Sequence, residues 1–514
     1  MNHWGVPAGV GVLCLWALAG WCQSLRLPSY ISDHMVVQRD RPMAVRGWAA
    51  PGATVTIQCG SFRTQVVADA EGRWRAAGPS LHAGESAELL VTDGVATQRV
   101  MDIVGGEVWI CSGQSNMAMP VRDSADAEVA ASVQMPGLRA FATTAKPAAT
   151  PQEDMPGSWS RAESSEVLNW YATAFYFGRK LHAELGVPVG LLMVAWGGTP
   201  VEAWIPRPVL EKLPVATNFL RESDTYAERY PKLMEDYEAK RARLLAQNKQ
   251  EELRNLRRPH RPADNPTLAA VQFNNRIAPL VGVPVRGAIW YQGEANAGLP
   301  RAAHYGELLT ALIRSWRDLW GEEFPFGIVQ LPNFRAPQTE PVEEASGWAA
   351  LREQQLRVVR SVAKTGLAVT IDVGQEDNIH PIRKTEVGER LAAWVLHDVY
   401  GRSEVVPCGP LYRRCERRDG TIVIEFDYAQ GLHAKGDRVG SLAVCGADRV
   451  WKWAEGCIEQ DRLIVWSAQV PEPVAVRYGW ADHPPCNLYN AAGLPASPFR
   501  TDDFPLPESS SPRR

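Results

Sequence analysis

The sequence predicts an α/β core built on a parallel β-sheet, flanked in the chain by smaller regions of β-sandwich type. Five short apolar runs alternate with helical stretches between about residues 107 and 400. Segments in which polar and apolar residues alternate precede and follow that stretch. The chain has 514 residues, which is too long for one compact core, so two or three domains are expected.

The predicted core contains five buried strands and at least four helices. The strands are expected at residues 108–111, 190–195, 287–291, 326–331 and 367–373. The helices, which carry apolar residues three and four positions apart, are expected at residues 172–185, 305–320, 351–361 and 385–400. Buried strands that alternate with helices imply a parallel sheet covered on both faces.

The regions around this core divide the chain into predicted units. Residues 23–103 form an N-terminal β-domain and residues 403–504 a C-terminal β-domain, because turn residues there punctuate alternating segments. The core spans residues 104–402 and includes a charged helical insertion at about 220–262, which is expected to be a solvated surface helix. Residues 505–514 are rich in Pro, Ser and Arg and are predicted to be a disordered tail.

The N-terminus and the overall charge narrow the class of protein. Residues 1–22 are predicted to be a signal peptide, because a short apolar segment ends in small residues with Ala19 as the expected cleavage position. The protein is therefore expected to be exported, to the periplasm, the medium or the cell surface. That segment is too short for a membrane span. The net charge of −4 gives no reason to expect nucleic acid or an anionic membrane as partner.

Cysteine spacing excludes one class of metal site. No two cysteines have the CxxC spacing of a zinc ligand pair, and no metal or cofactor is expected. In an oxidising compartment, Cys408 with Cys415 and Cys445 with Cys457 are close enough in sequence to form local disulfides, but the sequence does not decide the pairing.

Polar residues follow four of the predicted strands at the point where each strand ends. Ser115 follows the first strand, Gly197 and Gly198 the second, Asn296 the third, and the Asp377 to His380 segment the fifth. Open parallel sheets bind their ligands beyond the carboxyl ends of the strands. These residues are therefore expected to meet at one edge of the sheet.

Residues of these types provide the groups that serine-catalysed ester hydrolysis needs. Ser115 is the predicted nucleophile, His380 the base that takes its proton, and Asp377 the carboxylate that orients the imidazole. The backbone N–H groups of Ser115 and Gly198 and the amide of Asn296 are the predicted oxyanion donors. Gly197 remains an alternative to Gly198, and His397 is a rival base that is expected to lie on an exposed helix face.

Other polar and aromatic residues at this edge have two open interpretations. Gln114, Asn116, Gln292 and Glu294 either hold substrate hydroxyl groups or brace the loops. Trp204 is either a platform for a sugar ring or a packing residue, whereas Trp290 is expected in the core.

Two competing functions use other features of the chain. A glycosidase would use Glu294 and Asp372 as paired carboxylates, but that scheme leaves the serine, the glycines and Asn296 without roles. A sugar-binding protein with an idle esterase site would rely on the flanking β-domains.

Several segments in the same order resemble the sialate O-acetylesterase family of carbohydrate esterases, within the SGNH-hydrolase superfamily. They are residues 32–39 (SDHMVVQR), 113–117 (GQSNM), 196–204 (WGGTPVEAW), 290–296 (WYQGEAN), 326–332 (FGIVQLP) and 379–381 (IHP). The resemblance covers about residues 27 to 400 and implies a flavodoxin-like, three-layer α/β/α core. It also implies a Ser115, His380 and Asp377 triad that removes O-acetyl groups from sialic acid. An acetylated polysaccharide such as xylan is the alternative substrate.

Overall fold

The computed structural model describes residues 25–507 of the chain. The predicted signal peptide, residues 1–22, lies outside this range, and so do residues 508–514 of the predicted disordered tail. Leu506, in the described part of that tail, packs against the core.

Seven strands lead from the N-terminal β-region into the core. They are β1 (Val36–Gln38), β2 (Pro42–Trp48), β3 (Thr54–Cys59), β4 (Phe62–Val67), β5 (Arg73–Ser80), β6 (Ser86–Thr92) and β7 (Thr97–Gly113). Strands β3, β4, β6 and β7 pair antiparallel, β2 pairs with β5, and β1 lies parallel to β7. Apolar residues alternate with exposed ones along β3 because only one face of this sheet is buried.

Strand β7 is continuous over 17 residues and belongs to both regions. Its first part pairs with β6 and β1, and its second part, from Glu107 onward, forms the centre of the core sheet. The burial changes accordingly, from exposed residues near Thr97 to an unbroken buried run that ends at Gly113. The predicted boundary between residues 103 and 104 therefore falls in the middle of an unbroken strand.

The core sheet is parallel, as the sequence predicts, apart from one antiparallel edge strand. Its further strands are β8 (Gln134–Thr143), β9 (Gly157–Glu163), β10 (Val189–Met193), β11 (Gly287–Tyr291), β12 (Phe326–Val329) and β13 (Thr365–Ala368). The order across the sheet is β13-β12-β11-β7-β10-β8-β9, and β9 is the antiparallel strand. The order reverses at β7, which places a topological switch point at its carboxyl end.

Within residues 25–507, ten α-helices connect these strands or extend from them. They are α1 (Ser115–Ala118), α2 (Ala127–Ala131), α3 (Ala172–Leu185), α4 (Arg207–Leu210), α5 (Thr217–Asp224), α6 (Tyr226–Ala246), α7 (Gln250–Asn255), α8 (Tyr305–Trp320), α9 (Gly347–Ser361) and α10 (Lys384–Asp398). Helix α3 packs against α10, and α8 packs against α9. The charged insertion consists mainly of α6 and α7, whose side chains are mostly exposed.

Capping residues fix the ends of the core helices. Helices α3 and α8 end at Gly186 and Gly321, which have φ angles of 64° and 65° and so take the left-handed conformation that favours glycine. Helix α9 begins after Ser346, whose side chain accepts a hydrogen bond from the N–H of Ala349.

The C-terminal region is made of short antiparallel strands with an apolar cluster of its own. The strands are β14 (Leu411–Arg418), β15 (Thr421–Asp427), β16 (His433–Ala434), β17 (Leu442–Cys445), β18 (Trp451–Trp453), β19 (Glu455–Glu459), β20 (Arg462–Trp466), β21 (Ala475–Tyr478), β22 (Leu488–Tyr489) and β23 (Phe499–Arg500). Arg352 of α9 is fully buried and donates to the carbonyls of Ala481 and Asp482, which attaches this region to the core.

The structure also tests the expectations about cysteines. All seven cysteines that the structure describes are free thiols, so the disulfides considered for Cys408 with Cys415 and Cys445 with Cys457 are not formed. Cys415 is exposed, whereas Cys408 is buried and its thiol donates to the carbonyl of Leu367. The two side chains therefore lie in different surroundings. Between residues 25 and 507, no helix is long and apolar enough to cross a membrane.

Candidate active site

Ser115 lies in a tight turn at the carboxyl end of β7. Gly113, the last residue of the strand, has a φ of 136°, and a Cβ atom there would lie 2.1 Å from the carbonyl oxygen of Tyr291. Only glycine fits this close approach to β11. The N–H of Gln114 donates to the same Tyr291 carbonyl at 2.9 Å, and the N–H of Trp196 donates to Gly113 at 3.0 Å. The neighbouring strand ends therefore fix the turn on both sides.

The structure brings Ser115 and His380 together. The Ser115 hydroxyl lies 2.8 Å from Nε2 of His380, so it can donate to that nitrogen when the imidazole is neutral with its proton on Nδ1. His380 belongs to the loop between β13 and α10, and its backbone N–H donates to Oδ1 of Asn378 at 2.9 Å. The two residues are 265 positions apart in sequence, and the fold alone makes them neighbours.

Asp377 lies away from the imidazole. It is exposed, and within residues 25–507 its carboxylate forms no hydrogen bond with the His380 ring. The structure therefore places the predicted nucleophile and the predicted base in contact but does not place the predicted orienting carboxylate with them.

The surroundings of His380 favour its neutral form. Partial burial lowers the pKa of His380 below its usual 6.5, and the positive charge of Lys384 lowers it further. A neutral imidazole is the form that can accept the Ser115 proton. The base is therefore available at neutral pH.

Three backbone N–H groups in the Ser115 turn and the glycine loop have no acceptor among the described residues. Within the described chain, the N–H groups of Ser115, Gly197 and Gly198 have no hydrogen-bond partner. Gly197 lies against the nucleophile, since a Cβ atom on it would be 3.4 Å from the Cβ of Ser115. Gly198 has a φ of 71° and open space around it. This arrangement offers donors for an oxyanion beside the serine.

Asn296 is buried and mainly braces the loops. Its Oδ1 accepts from the N–H of Val201 at 3.0 Å and from Nε2 of Gln292 at 2.8 Å. Its Nδ2 donates to Glu202 at 2.9 Å, which leaves one N–H of the amide for another acceptor. One N–H of the Asn296 amide thus remains for the predicted oxyanion role, while the other polar atoms of the side chain hold the surrounding loops together.

Gln292 connects three strand ends and has no exposed surface. It is fully buried, and its Nε2 lies within 3.2 Å of acceptors on Gln114, Thr199 and Asn296. Its Oε1 accepts from the hydroxyl of Tyr305 at 2.8 Å. The structure therefore supports the bracing interpretation for Gln292. Gln114 shares that bracing, because its Oε1 also accepts from the N–H of Ala295.

Trp204 is a packing residue, and the sugar-platform interpretation is wrong for it. Its side chain is fully buried and meets Trp290 edge to face, with ring centroids 5.7 Å apart. Its indole N–H donates to Thr199 at 2.9 Å, which ties the tryptophan to the glycine loop. A side chain without exposed surface cannot stack on a sugar. Trp290 is in the core, as expected.

Asn116 and Glu294 form one hydrogen-bonded unit behind the serine. Asn116 is fully buried, and its Nδ2 donates to Oε1 of Glu294 and to the carbonyl of Ile379. Its Oδ1 accepts from Nζ of Lys384 at 2.6 Å. All the polar atoms of the Asn116 side chain are thus occupied by protein groups.

Three charged residues around the site were not predicted from the sequence. Lys384 is fully buried, four positions after His380. Glu202 accepts one hydrogen bond from Nδ2 of Asn296 at 2.9 Å and another from the guanidinium of Arg301 at 2.8 Å. Charged residues near helix starts usually face solvent. Only the closeness of Glu202 to the GGT segment, of Arg301 to the QGEAN segment and of Lys384 to the IHP segment could have indicated them.

Asp372, the other carboxylate of the glycosidase hypothesis, is held by an arginine. Arg390 contacts both of its oxygens, at 2.6 and 2.8 Å, and this pairing outweighs burial and lowers the pKa of Asp372. The carboxylate is therefore committed to a structural ion pair.

Comparison with known proteins agrees with a site for ester hydrolysis. Residues 270–397 match the family model described as a carbohydrate esterase, sialic acid-specific acetylesterase. The rat sialate O-acetylesterase is 28% identical over 548 residues, which cover 96% of this chain and 98% of the rat protein. The human sialate O-acetylesterase is 27% identical over 537 residues, which cover 95% of this chain and 94% of the human protein.

A solved structure extends the likeness to the whole fold. A carbohydrate acetylesterase from Xanthomonas citri superposes with a TM-score of 0.80 at 34% identity. The match covers 94% of this chain and 100% of that protein, so it includes the flanking β-regions as well as the parallel sheet.

Proposed function

The chain belongs to the sialate O-acetylesterase family of carbohydrate esterases and is a carboxylic ester hydrolase, and from this membership we propose that it removes O-acetyl groups from sialic acids. The observation that carries the proposal is the 2.8 Å contact between Ser115 and His380 at the switch point of the sheet. The strand order fits an SGNH-type, flavodoxin-like core, because β10, β7, β11, β12 and β13 follow the order 2-1-3-4-5.

The proposed reaction proceeds through an acetyl-enzyme. His380 takes the proton of the Ser115 hydroxyl as the oxygen attacks the acetyl carbonyl, and a C–O bond forms to Ser115. The tetrahedral intermediate collapses, the bond to the sugar oxygen breaks, and His380 returns its proton to that oxygen. Water, deprotonated by His380, then attacks the acetyl-enzyme and releases acetate and Ser115.

The oxyanion of the intermediate would be held by groups around Ser115. We assign the N–H groups of Ser115 and Gly198 and the remaining N–H of Asn296, with Gly197 as the alternative glycine donor. The free N–H groups of the Ser115 turn and the glycine loop support this assignment. We keep Asp377 as the proposed carboxylate of the triad because it lies on the same short loop as His380. Since its side chain is exposed and forms no hydrogen bond with the imidazole, it would orient His380 only weakly.

Sialic acid is the substrate that the relatives favour, and acetylated xylan is the alternative. The relatives named as sialate O-acetylesterases match over nearly the whole chain, whereas the Xanthomonas protein is named only as a carbohydrate acetylesterase. We also propose export of the protein, on the basis of the short apolar segment near the N-terminus.

The test compares acetate release from O-acetylated sialic acid and from acetylated xylo-oligosaccharides by the same enzyme. We expect a higher kcat/KM on the sialic acid, and the opposite order would favour the polysaccharide. Ser115→Ala should lower kcat by roughly 10⁴-fold. Ser132→Ala, at a surface serine, serves as the matched control and should leave kcat unchanged.

The acetyl-enzyme itself can be trapped. Rapid quenching during turnover, followed by mass spectrometry of peptides, should find one acetyl group on Ser115. Turnover in the Ser115→Ala variant at the rate of the unmodified enzyme would contradict the mechanism.

A further inference from the structure

A buried lysine and a half-buried glutamate, whose Oε2 is enclosed, are joined through the amide of the residue that follows Ser115. Lys384 is fully buried at the start of α10, and its Nζ donates to Oδ1 of Asn116 at 2.6 Å. On its other side, the Asn116 amide donates to Oε1 of Glu294. We call Lys384, Asn116 and Glu294 the buried bridge.

Burying the charged groups of the bridge costs free energy, and the hydrogen bonds around them do not fully offset that cost. Oε2 of Glu294 is enclosed and has no hydrogen-bond partner among the described residues. Burial raises the pKa of Glu294 and lowers the pKa of Lys384 to about 7. The opposite charge of each group partly offsets the shift in the other. Buried charges of this kind add little to stability and are often replaceable by apolar residues. Stability alone therefore gives a weak reason for this arrangement.

The position of Asn116 gives a better reason. Asn116 directly follows Ser115 in the one-turn helix α1, and its amide also donates to the carbonyl of Ile379 at 2.9 Å. Ile379 directly precedes His380. One amide thus joins the neighbour of the nucleophile to the neighbour of the base. Its orientation is fixed because Lys384 occupies the oxygen and Glu294 and Ile379 occupy the nitrogen.

We propose that Lys384 and Glu294 are positioning residues, which act through Asn116 to hold the Ser115 hydroxyl and the His380 imidazole at their contact distance. The inference rests on the proposed roles of Ser115 and His380. It assigns to buried groups the orienting task that the exposed Asp377 does not perform in this structure. Small misplacements of reacting groups reduce rates by large factors, so a bridge of this kind acts on kcat.

The first test replaces Lys384 with a side chain of similar length and no charge. Lys384→Met should lower kcat by on the order of 10²-fold while KM changes little, because substrate contacts remain. Lys232→Met is the matched control, since Lys232 is an exposed helical lysine that forms surface ion pairs. The control should keep the kcat of the unmodified protein.

The reactivity of Ser115 separates this inference from the proposed function. A fluorophosphonate probe modifies an activated serine whatever the natural ester is, and intact mass measures the rate of modification. We expect a slower reaction in Lys384→Met than in the unmodified protein. An equal rate in the two proteins would overturn the inference. Absence of acetate release from every acetylated sugar by the unmodified protein would instead overturn the proposed function.

A second pair of variants decides the question if Lys384→Met does not fold. Glu294→Gln keeps an oxygen that can accept from Asn116, whereas Glu294→Leu removes it. The probe should modify Ser115 at nearly the unmodified rate in Glu294→Gln and at least about tenfold more slowly in Glu294→Leu. Equal rates in these two variants would overturn the bridge as a positioning device.

Discussion

The two halves of the active site are held in different ways. On the nucleophile side, the Ser115 turn is held by buried side chains from several strand ends, and Gln114, Asn116, Gln292 and Asn296 have almost no exposed surface. The base side is the loop of residues 374–382, where Asp377 is exposed and Ile382 is 39% exposed. Buried side chains from several strands thus hold the Ser115 turn, whereas His380 lies on a partly exposed loop that the buried Asn116 contacts at the Ile379 carbonyl.

Removal of a packing residue on the nucleophile side should have the largest effect. Trp204→Ala is expected to lower the free energy of unfolding by about 4 kcal/mol, because it leaves a cavity among buried tryptophans. Denaturant unfolding measures this, and Trp453→Ala, at a tryptophan that is 43% exposed, should change stability much less. A Trp204 variant with unchanged stability and a raised KM would instead indicate that Trp204 binds the substrate.

Loss of the buried hub should have the next largest effect. Gln292→Leu leaves the acceptors on Gln114, Thr199 and Asn296 without their shared donor, and it should lower the free energy of unfolding by about 2 kcal/mol. We expect kcat to fall as well, because these groups hold the loops around Ser115. Gln58→Leu, at an exposed strand position, is the control. Full activity and stability in Gln292→Leu would contradict the conclusion that buried side chains hold the Ser115 turn.

A change on the base side should be milder. Asp377→Asn is expected to lower kcat/KM by about tenfold or less, because an exposed carboxylate is screened and is not in contact with the imidazole in the resting structure. Glu376→Gln, at the adjacent exposed residue, should have no effect on kcat/KM. A loss as large as that of Ser115→Ala would show that Asp377 turns inward and orients the imidazole during catalysis.

The smallest expected effect is a shift of the acid limb of the pH profile. Activity should fall on acidification as His380 becomes protonated and can no longer accept the Ser115 proton. Because burial and Lys384 lower the pKa of His380, the acid limb of kcat/KM in the free enzyme should lie below pH 6.5. A rate constant that stays unchanged from pH 8 to pH 5 would contradict the role of His380.

Much of the core could be predicted from the sequence because its elements are periodic and uninterrupted. The predicted strand at 287–291 and the helices at 172–185 and 305–320 coincide with β11, α3 and α8. Strands β8 and β9 were missed, since β8 contains a Pro-Gly pair and β9 is largely polar, as edge strands often are. Neither strand contains an apolar run that would have indicated it.

The site was predictable where chemistry is concentrated at strand ends and unpredictable where burial decides the role. Ser115 and His380 follow two apolar runs, and parallel topology brings such positions together. The exposure of Trp204 depends on the packing of α8 and β11, which no local pattern shows. Lys384 resembles any charged residue at a helix start, and only the tertiary fold reveals that Asn116 and Glu294 enclose it.

The continuous strand β7 has a consequence for how the protein tolerates cutting. A chain severed at residue 103 would lose the strand partners that β1 and β6 supply to residues 97–106, on the same strand that leads to Ser115. The chain passes from the N-terminal β-region to the sheet that carries Ser115 within this one strand, without an intervening loop. The N-terminal region therefore shares a strand with the residues that lead to Ser115, and a cut at residue 103 would divide that strand.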